Sequence, residues 1–162
     1  MSSPATDAAH AAAETPRPRA LLLWRVLAMV YDALPVMALW MLAGTLFTVA
    51  YTFSGHAQRE NIAPFSAWQW LLWALCWVLT GAYATASWRR GGQTLGMRPW
   101  RLKLESRDGT PLRRAQLWQR FAVATLSLLL GGLGFWWALL DRQRLTWHDR
   151  ASGTRLVRMP KR

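Results

Sequence analysis

Asp32 is the only charged residue in the 28-residue apolar stretch Val26–Phe53. A carboxyl group well inside a spanning helix costs about 2.5–3.5 kcal/mol to insert, so it is expected to face protein or water and to have a role. Arg25 lies seven residues earlier, roughly 10 Å along a helix axis and on the same face. Helical side chains lean toward the N-terminus, so Arg25 is expected to point away from Asp32 and to snorkel to the surface. The partner of Asp32 then comes from elsewhere, with Arg120, Arg89 and Arg90 as candidates. Pro35 follows one turn later; it cannot donate to the Tyr31 carbonyl and is expected to kink the helix. Freed carbonyls beside a carboxylate can hold a small cation, as in discontinuous transporter helices. The competing reading is a buried Arg–Asp pair that fixes helix packing, with the proline an incidental kink.

Other candidates are weaker. Gly91-Gly92-Gln93-Thr94-Leu95-Gly96 has the glycines of a phosphate loop but lacks its Lys-Ser/Thr ending. His148-Asp149 invites a metal reading, but the other histidines, His10 and His56, fall in distant segments, so no metal cluster is expected. Cys76 is the one cysteine, which excludes a disulfide framework. No Ser/His/Asp or Cys/His arrangement stands out. Neither a cofactor nor enzyme activity is expected.

The elements that position these residues are set by segregation of charge from apolar residues. The chain has 162 residues, with 20 Lys+Arg against 8 Asp+Glu and 12 Trp. Its mean hydropathy of +0.04 hides the pattern. Val26–Phe53, Phe65–Trp88 (24 residues) and Phe121–Leu140 (20 residues) are each long enough for a bilayer core, the last two without a basic or acidic residue. An ordinary soluble domain is excluded. The net charge of +12 then points to cytoplasmic loops and anionic lipid headgroups, not to nucleic acid. Residues 1–20, rich in Ala, Ser, Thr and Pro, read as a disordered tail. No cleavable signal is expected, because the first apolar run is too long and lacks a cleavage site.

Lys+Arg counts give the topology. Arg17, Arg19 and Arg25 precede the first run, while the link at 54–64 carries only Arg59, balanced by Glu60. The link at 89–117 carries eight, and the tail from Asp141 carries seven. The positive-inside rule therefore places the N-terminus in the cytoplasm, the first link outside and both later segments inside. A single crossing by Phe121–Leu140 would put the tail outside. Gly131-Gly132 and Gly134 can break that run, so a re-entrant element is favoured. Trp24, Trp68, Trp88 and Trp118 mark the interfacial belt, whereas Trp40, Trp73 and Trp77 suit helix–helix packing. Gly81 with Thr85, and Ala82 with Ala86, are small-residue pairs that allow close helix approach. Trp100–Glu105 alternates apolar with charged residues, and Asp108-Gly109 is a turn signal leading to Thr110-Pro111-Leu112. A cytoplasmic β-hairpin is expected there.

Four segments carry a resemblance. Arg25-Val-Leu-Ala-Met-Val-Tyr-Asp32 opens the first helix, and Gly92-Gln93-Thr94-Leu95-Gly96-Met97-Arg98 follows the second. Asp108-Gly109-Thr110-Pro111-Leu112 leads to Arg120, and Arg144-Leu145-Thr146-Trp147-His148-Asp149-Arg150-Ala151-Ser152-Gly153-Thr154 closes the chain. In order and spacing these resemble the RDD family of small bacterial multi-pass membrane proteins, named for one arginine and two aspartates. Here those would be Arg25, Asp32 and Asp149. The resemblance spans about residues 20–158; Met97 departs from it, where the family often has lysine. It implies a role in transport, including exchange of monovalent cations for protons. Asp32 would then bind proton or cation, with Arg25 and Asp149 on its cytoplasmic side and Gln93, Thr94, Gly96, Arg120, His148 and Thr154 in support.

The expected fold is an all-α integral membrane domain over residues 21–158, followed by a basic end at 159–162. It has two spanning helices, a small cytoplasmic β-hairpin and a Gly-broken third membrane element. Gln93-Thr94 and His148-Asp149-Arg150 are expected to meet at the cytoplasmic face. The expected location is the bacterial inner (plasma) membrane with the N-terminus cytoplasmic. So few spans enclose little, so a transport path implies a homo-oligomer or a membrane partner. The alternative function is a non-transporting scaffold or assembly partner that uses basic loops for lipid and Trp-rich helices for protein contacts.

Overall fold

The computed structural model describes residues 21–55 and 61–160. The N-terminal tail, His10, His56 and the Arg59-Glu60 pair lie outside the described residues, as do the last two residues. The first apolar run forms α1 (Leu22–Phe53), which continues through Pro35, and the second forms α2 (Ala67–Gly91). At ~1.5 Å per residue they are roughly 48 and 38 Å long, more than the ~30 Å of a hydrocarbon core. Both are long and apolar enough to cross a membrane. Most large apolar side chains of α1 face outward, including Leu34, Met41 and Leu46. A helix whose outward face is apolar is matched to lipid, not to water.

Ser66 caps the start of α2, its hydroxyl accepting the Gln69 N–H at 3.3 Å. Trp40 Nε1 of α1 donates to Thr80 Oγ1 of α2 at 2.9 Å, tying the two long helices together inside the apolar region. An indole N–H without an acceptor there would be costly, so this bond also fixes the register of the pair.

The third run is broken. α3 (Arg114–Leu129) and α4 (Leu133–Leu140) meet at a bend of 97°. Gly131 and Gly132 sit at φ of 69° and 79°, a left-handed backbone that glycine adopts without a Cβ clash. α3 packs on α2 where Trp118 and Phe121 lie over Gly81, leaving no room for a Cβ there. Gly81 and Thr85 are buried, but Ala82 and Ala86 are exposed, so only the first small-residue pair is used. Trp77 Nε1 reaches Thr125 Oγ1 of α3 at 3.2 Å.

The chain then turns through α5 (Trp147–Ser152) into a strand, β2 (Thr154–Arg158). β2 pairs antiparallel with β1 (Leu102–Ser106), Leu104 opposite Leu156. The hairpin expected at 100–112 is therefore corrected. Asp108-Gly109 does turn, but Pro111 follows it without an N–H to donate. The edge of β1 is taken instead by a strand some fifty residues away in sequence. Leu102, fully buried, packs with Ala28 and Met97 beneath this sheet, and Leu104 is buried two residues on. The start of α1, the end of α2, the sheet and α5 thus share one end of the molecule.

Candidate functional site

Asp149 lies at the third position of α5 and is fully buried. Thr146 and Asp149 form a capping box: the Thr146 hydroxyl accepts the Asp149 N–H, and the Asp149 carboxylate accepts the Thr146 N–H, both at 3.3 Å. That leaves the carboxylate room for two cations. Arg25 donates to its Oδ2 at 2.6 Å and Arg120 to its Oδ1 at 2.5 Å. Arg120 also donates to Thr154 Oγ1 at 2.8 Å. Arg25 is 6% exposed and Arg120 4%, so neither snorkels. The expected outward course of Arg25 is corrected, because a buried carboxylate offers a stronger partner than the interface.

Burial by itself would push the Asp149 carboxyl up, but the Arg120 and Arg25 guanidiniums beside it hold it well below the usual carboxylate range. His148 is 3% exposed, with its Nε2 3.3 Å from Arg25 Nη1. Burial, together with the charge of Arg120, pushes its imidazole well below the ordinary value. A guanidinium only donates, so Nε2 accepts and the ring proton belongs on Nδ1. The Phe135 ring lies 4.7 Å from the imidazole.

Asp32 is held differently. Its Oδ1 accepts from the Tyr83 hydroxyl at 2.7 Å and from the Gly96 N–H at 2.8 Å, and its Oδ2 accepts from the Thr94 hydroxyl. The arginine partners expected for it are corrected: Arg120 is drawn to Asp149, and the loop after α2 reaches Asp32 first. Gly96 makes this possible. A Cβ there would run into the Ala28 carbonyl and the Asp32 backbone, so only glycine brings its N–H so close to α1. Gln93 turns away to donate to the Leu102 carbonyl at 2.6 Å and anchors the loop to β1.

Arg25, Asp32, Thr94, Arg120 and His148 all line one cavity of about 100 Å³. Asp149 and Thr154 stand behind it, supporting the arginines. Met97 packs in the core and accepts the Trp88 indole N–H at 3.4 Å. Two contributors escaped sequence reasoning. Thr146 was findable from its Thr-x-x-Asp spacing to Asp149. Tyr83, one hydroxyl within an apolar helix, gave no spacing signal.

Two apolar helices, a glycine-broken third element and a sheet-capped end bearing Arg, Asp and Asp define a small helical membrane domain. The family model of the RDD family matches residues 19–153, and the chain belongs to that family. No curated protein and no solved structure matches it significantly.

Asp149→Asn is expected to destabilise the fold by about 3–5 kcal/mol, because two buried guanidiniums lose their shared anion. Loss of folded protein from detergent-solubilised membranes, read by fluorescence-detected gel filtration, checks this. Stability is also expected to fall with acid. The folded His148 takes up its proton well below the ordinary 6.5, so the unfolded chain binds more protons as pH drops through about 6.5. Asp149, likewise lowered from its ordinary 3.8, adds a further loss below about pH 4. Thermal unfolding followed from pH 8 to 4 is expected to show a plateau above about 7 and a decline below it. His148→Gln is expected to flatten the upper part of that decline.

Proposed function

We propose that this protein is a carrier, or a carrier subunit, of the bacterial inner membrane in which Asp32 exchanges a proton for a monovalent cation. One observation carries the reading: the side-chain partners of Asp32 are hydroxyls, not cations. The Thr94 hydroxyl donates to the carboxylate, and a hydroxyl can turn to accept a proton from the acid form. Asp32 is therefore satisfied in either protonation state, as an exchange site needs. Asp149, clasped by two groups that only donate, is not. In this reading the chain supplies no catalytic residue and no cofactor.

The membrane placement belongs to the same proposal. The N-terminus is cytoplasmic, and α3 with α4 enter and leave on that side. Support comes from the pairing of β2 with β1 and the clasp of Asp149 by Arg25, which bring the tail back to the start of α1. Exposed Arg89, Arg90, Arg113, Arg114, Arg142 and Arg155 fit the inside face and anionic headgroups. Two spans and a re-entrant element enclose little, so the path is completed by further copies or a membrane partner.

In proteoliposomes, a Na⁺ or K⁺ pulse is expected to move protons with wild type, read by a pH-sensitive dye, and not with Asp32→Asn at equal protein level. Correctly inserted wild type that moves no proton with any cation would favour the non-transporting scaffold. Single cysteines at Arg142 and at Ala63, probed in intact cells with an impermeant maleimide, are expected to be protected and labelled respectively. Labelling at both positions would mean that α3 and α4 cross.

A further inference from the structure

The start of α1 carries a row of aromatic rings that the carrier reading does not use. Trp24 and Tyr31 are seven residues apart, so they share one face of α1 at levels roughly 10 Å apart. Trp100, from the loop before β1, lies against both: its ring centroid is 5.2 Å from that of Trp24 and 5.6 Å from that of Tyr31. Trp24 and Trp100 are half-buried, and Tyr31 is 49% exposed. The row thus runs from the end of α1 into its apolar part and stays open to what surrounds the helix.

A cation stands at the head of the row. Arg158 lies opposite Leu102 in the sheet, and Leu102 packs on Ala28 of α1, so Arg158 leaves the sheet on the side that faces α1. Its guanidinium carbon sits 4.0 Å from the centroid of the Trp24 ring, a cation–π contact that holds the long side chain in place. The other cations of the sheet, Lys103 and Arg155, share the Glu105 carboxylate. Arg158 is exposed and, among the described residues, meets neither a carboxylate nor a hydrogen-bond acceptor. A ring face takes none of the guanidinium's N–H donors as a carboxylate would, so the fork remains free for an oxyanion.

We propose that Arg158 and the Trp24–Trp100–Tyr31 row form a binding site for one anionic phospholipid, its phosphate on the guanidinium and an acyl chain laid along the rings. Charge and length both select this occupant. A guanidinium fixed on an indole without a counter-ion calls for an anion, and a phosphate engages two of its donors at once. An indole at the end of a spanning helix lies at headgroup level, and the aromatic surface that continues inward from it suits a hydrocarbon chain. The net charge of +12 favours an anionic lipid over a zwitterionic one. A phosphate free in solution is the competing source; it would use the guanidinium and leave the rings bare.

The test uses the full chain in detergent micelles, titrated with phosphatidylglycerol or phosphatidylcholine and followed by native mass spectrometry. The first phosphatidylglycerol is expected to bind at least about ten-fold tighter than phosphatidylcholine, the increment of a charge-assisted hydrogen bond. Arg158→Gln is expected to lose about that factor, whereas Arg155→Gln, on the other side of the same strand, is expected to change it less than about two-fold. Glycerol 3-phosphate, the headgroup without chains, is expected not to displace the lipid. Should Arg158→Gln fail to fold, the wild type decides: phosphatidylglycerol with a photoreactive acyl chain should label peptides holding Tyr31 or Trp100, and unlabelled phosphatidylglycerol should compete where phosphatidylcholine does not. Equal losses in Arg158→Gln and Arg155→Gln, displacement by glycerol 3-phosphate, or labelling that spares both peptides overturns the proposal.

Discussion

The carboxylate of Asp149, shared by two buried guanidiniums, is the constraint around which the elements at its end of the molecule are arranged. Arg25 ties it to α1, Arg120 to α3, its own capping box to α5, and Thr154 to β2 through Arg120. A buried ion cluster of this kind adds little net stability, because desolvation of three charges offsets their attraction. Its effect is conformational: any arrangement that separates the three leaves an unpaired charge in a poor dielectric. The alternatives are penalised more than the native state is favoured. The same surroundings keep its neighbour neutral: burial first, then the charge of Arg120, disfavours a protonated His148, and the attraction of Asp149 only partly offsets them.

Asp149 and Asp32 therefore differ in kind. Asp149 is fixed by donors that never change state, and its charge is part of the scaffold. Asp32 sits about two turns from Arg25 on α1, half-buried, among hydroxyls and one backbone N–H. Its surroundings are held by the loop after α2, and that loop is held by Gln93 on the Leu102 carbonyl and by Leu104 N–H on the Gly92 carbonyl at 2.7 Å. The scaffold around Asp149 thus reaches Asp32 through the sheet: β2 fixes β1, β1 fixes the loop, and the loop supplies Thr94 and Gly96.

Much of this was legible in the sequence where the signal was compositional or local. The apolar runs gave α1 and α2, Gly131-Gly132 gave the break, and the order of motifs gave the family. What was not legible was long-range pairing. Nothing in Leu102–Ser106 says that its partner is Thr154–Arg158, because alternation marks a strand and not its neighbour. The partner of Asp32 was sought among arginines, by charge alone. Arg120 goes to Asp149 because α3 brings them together, and the three-dimensional path of α3 and α4 is not written in spacing. Arg25 was expected outside for the same reason, since an interfacial arginine and a buried one look alike in a single chain.

The ion cluster and the bend are two statements of one geometry. Arg120 sits in the second turn of α3, and Asp149 follows the end of α4 by nine residues. From Arg120 to the end of α4 the chain runs roughly 27 Å of helix at ~1.5 Å per residue. Laid straight, that length would carry Asp149 away from Arg120, and each charge would then have to find another partner or stay unpaired. The 97° turn at Gly131-Gly132 sets α4 at roughly a right angle to α3, and the chain returns to Arg120 through the residues that follow α4. Substituting those glycines strains the turn, and removing Asp149 takes away the reason to return. The cluster and the bend are therefore parts of one arrangement: the clasp holds Asp149 against α3, and the glycine turn gives the chain its path there.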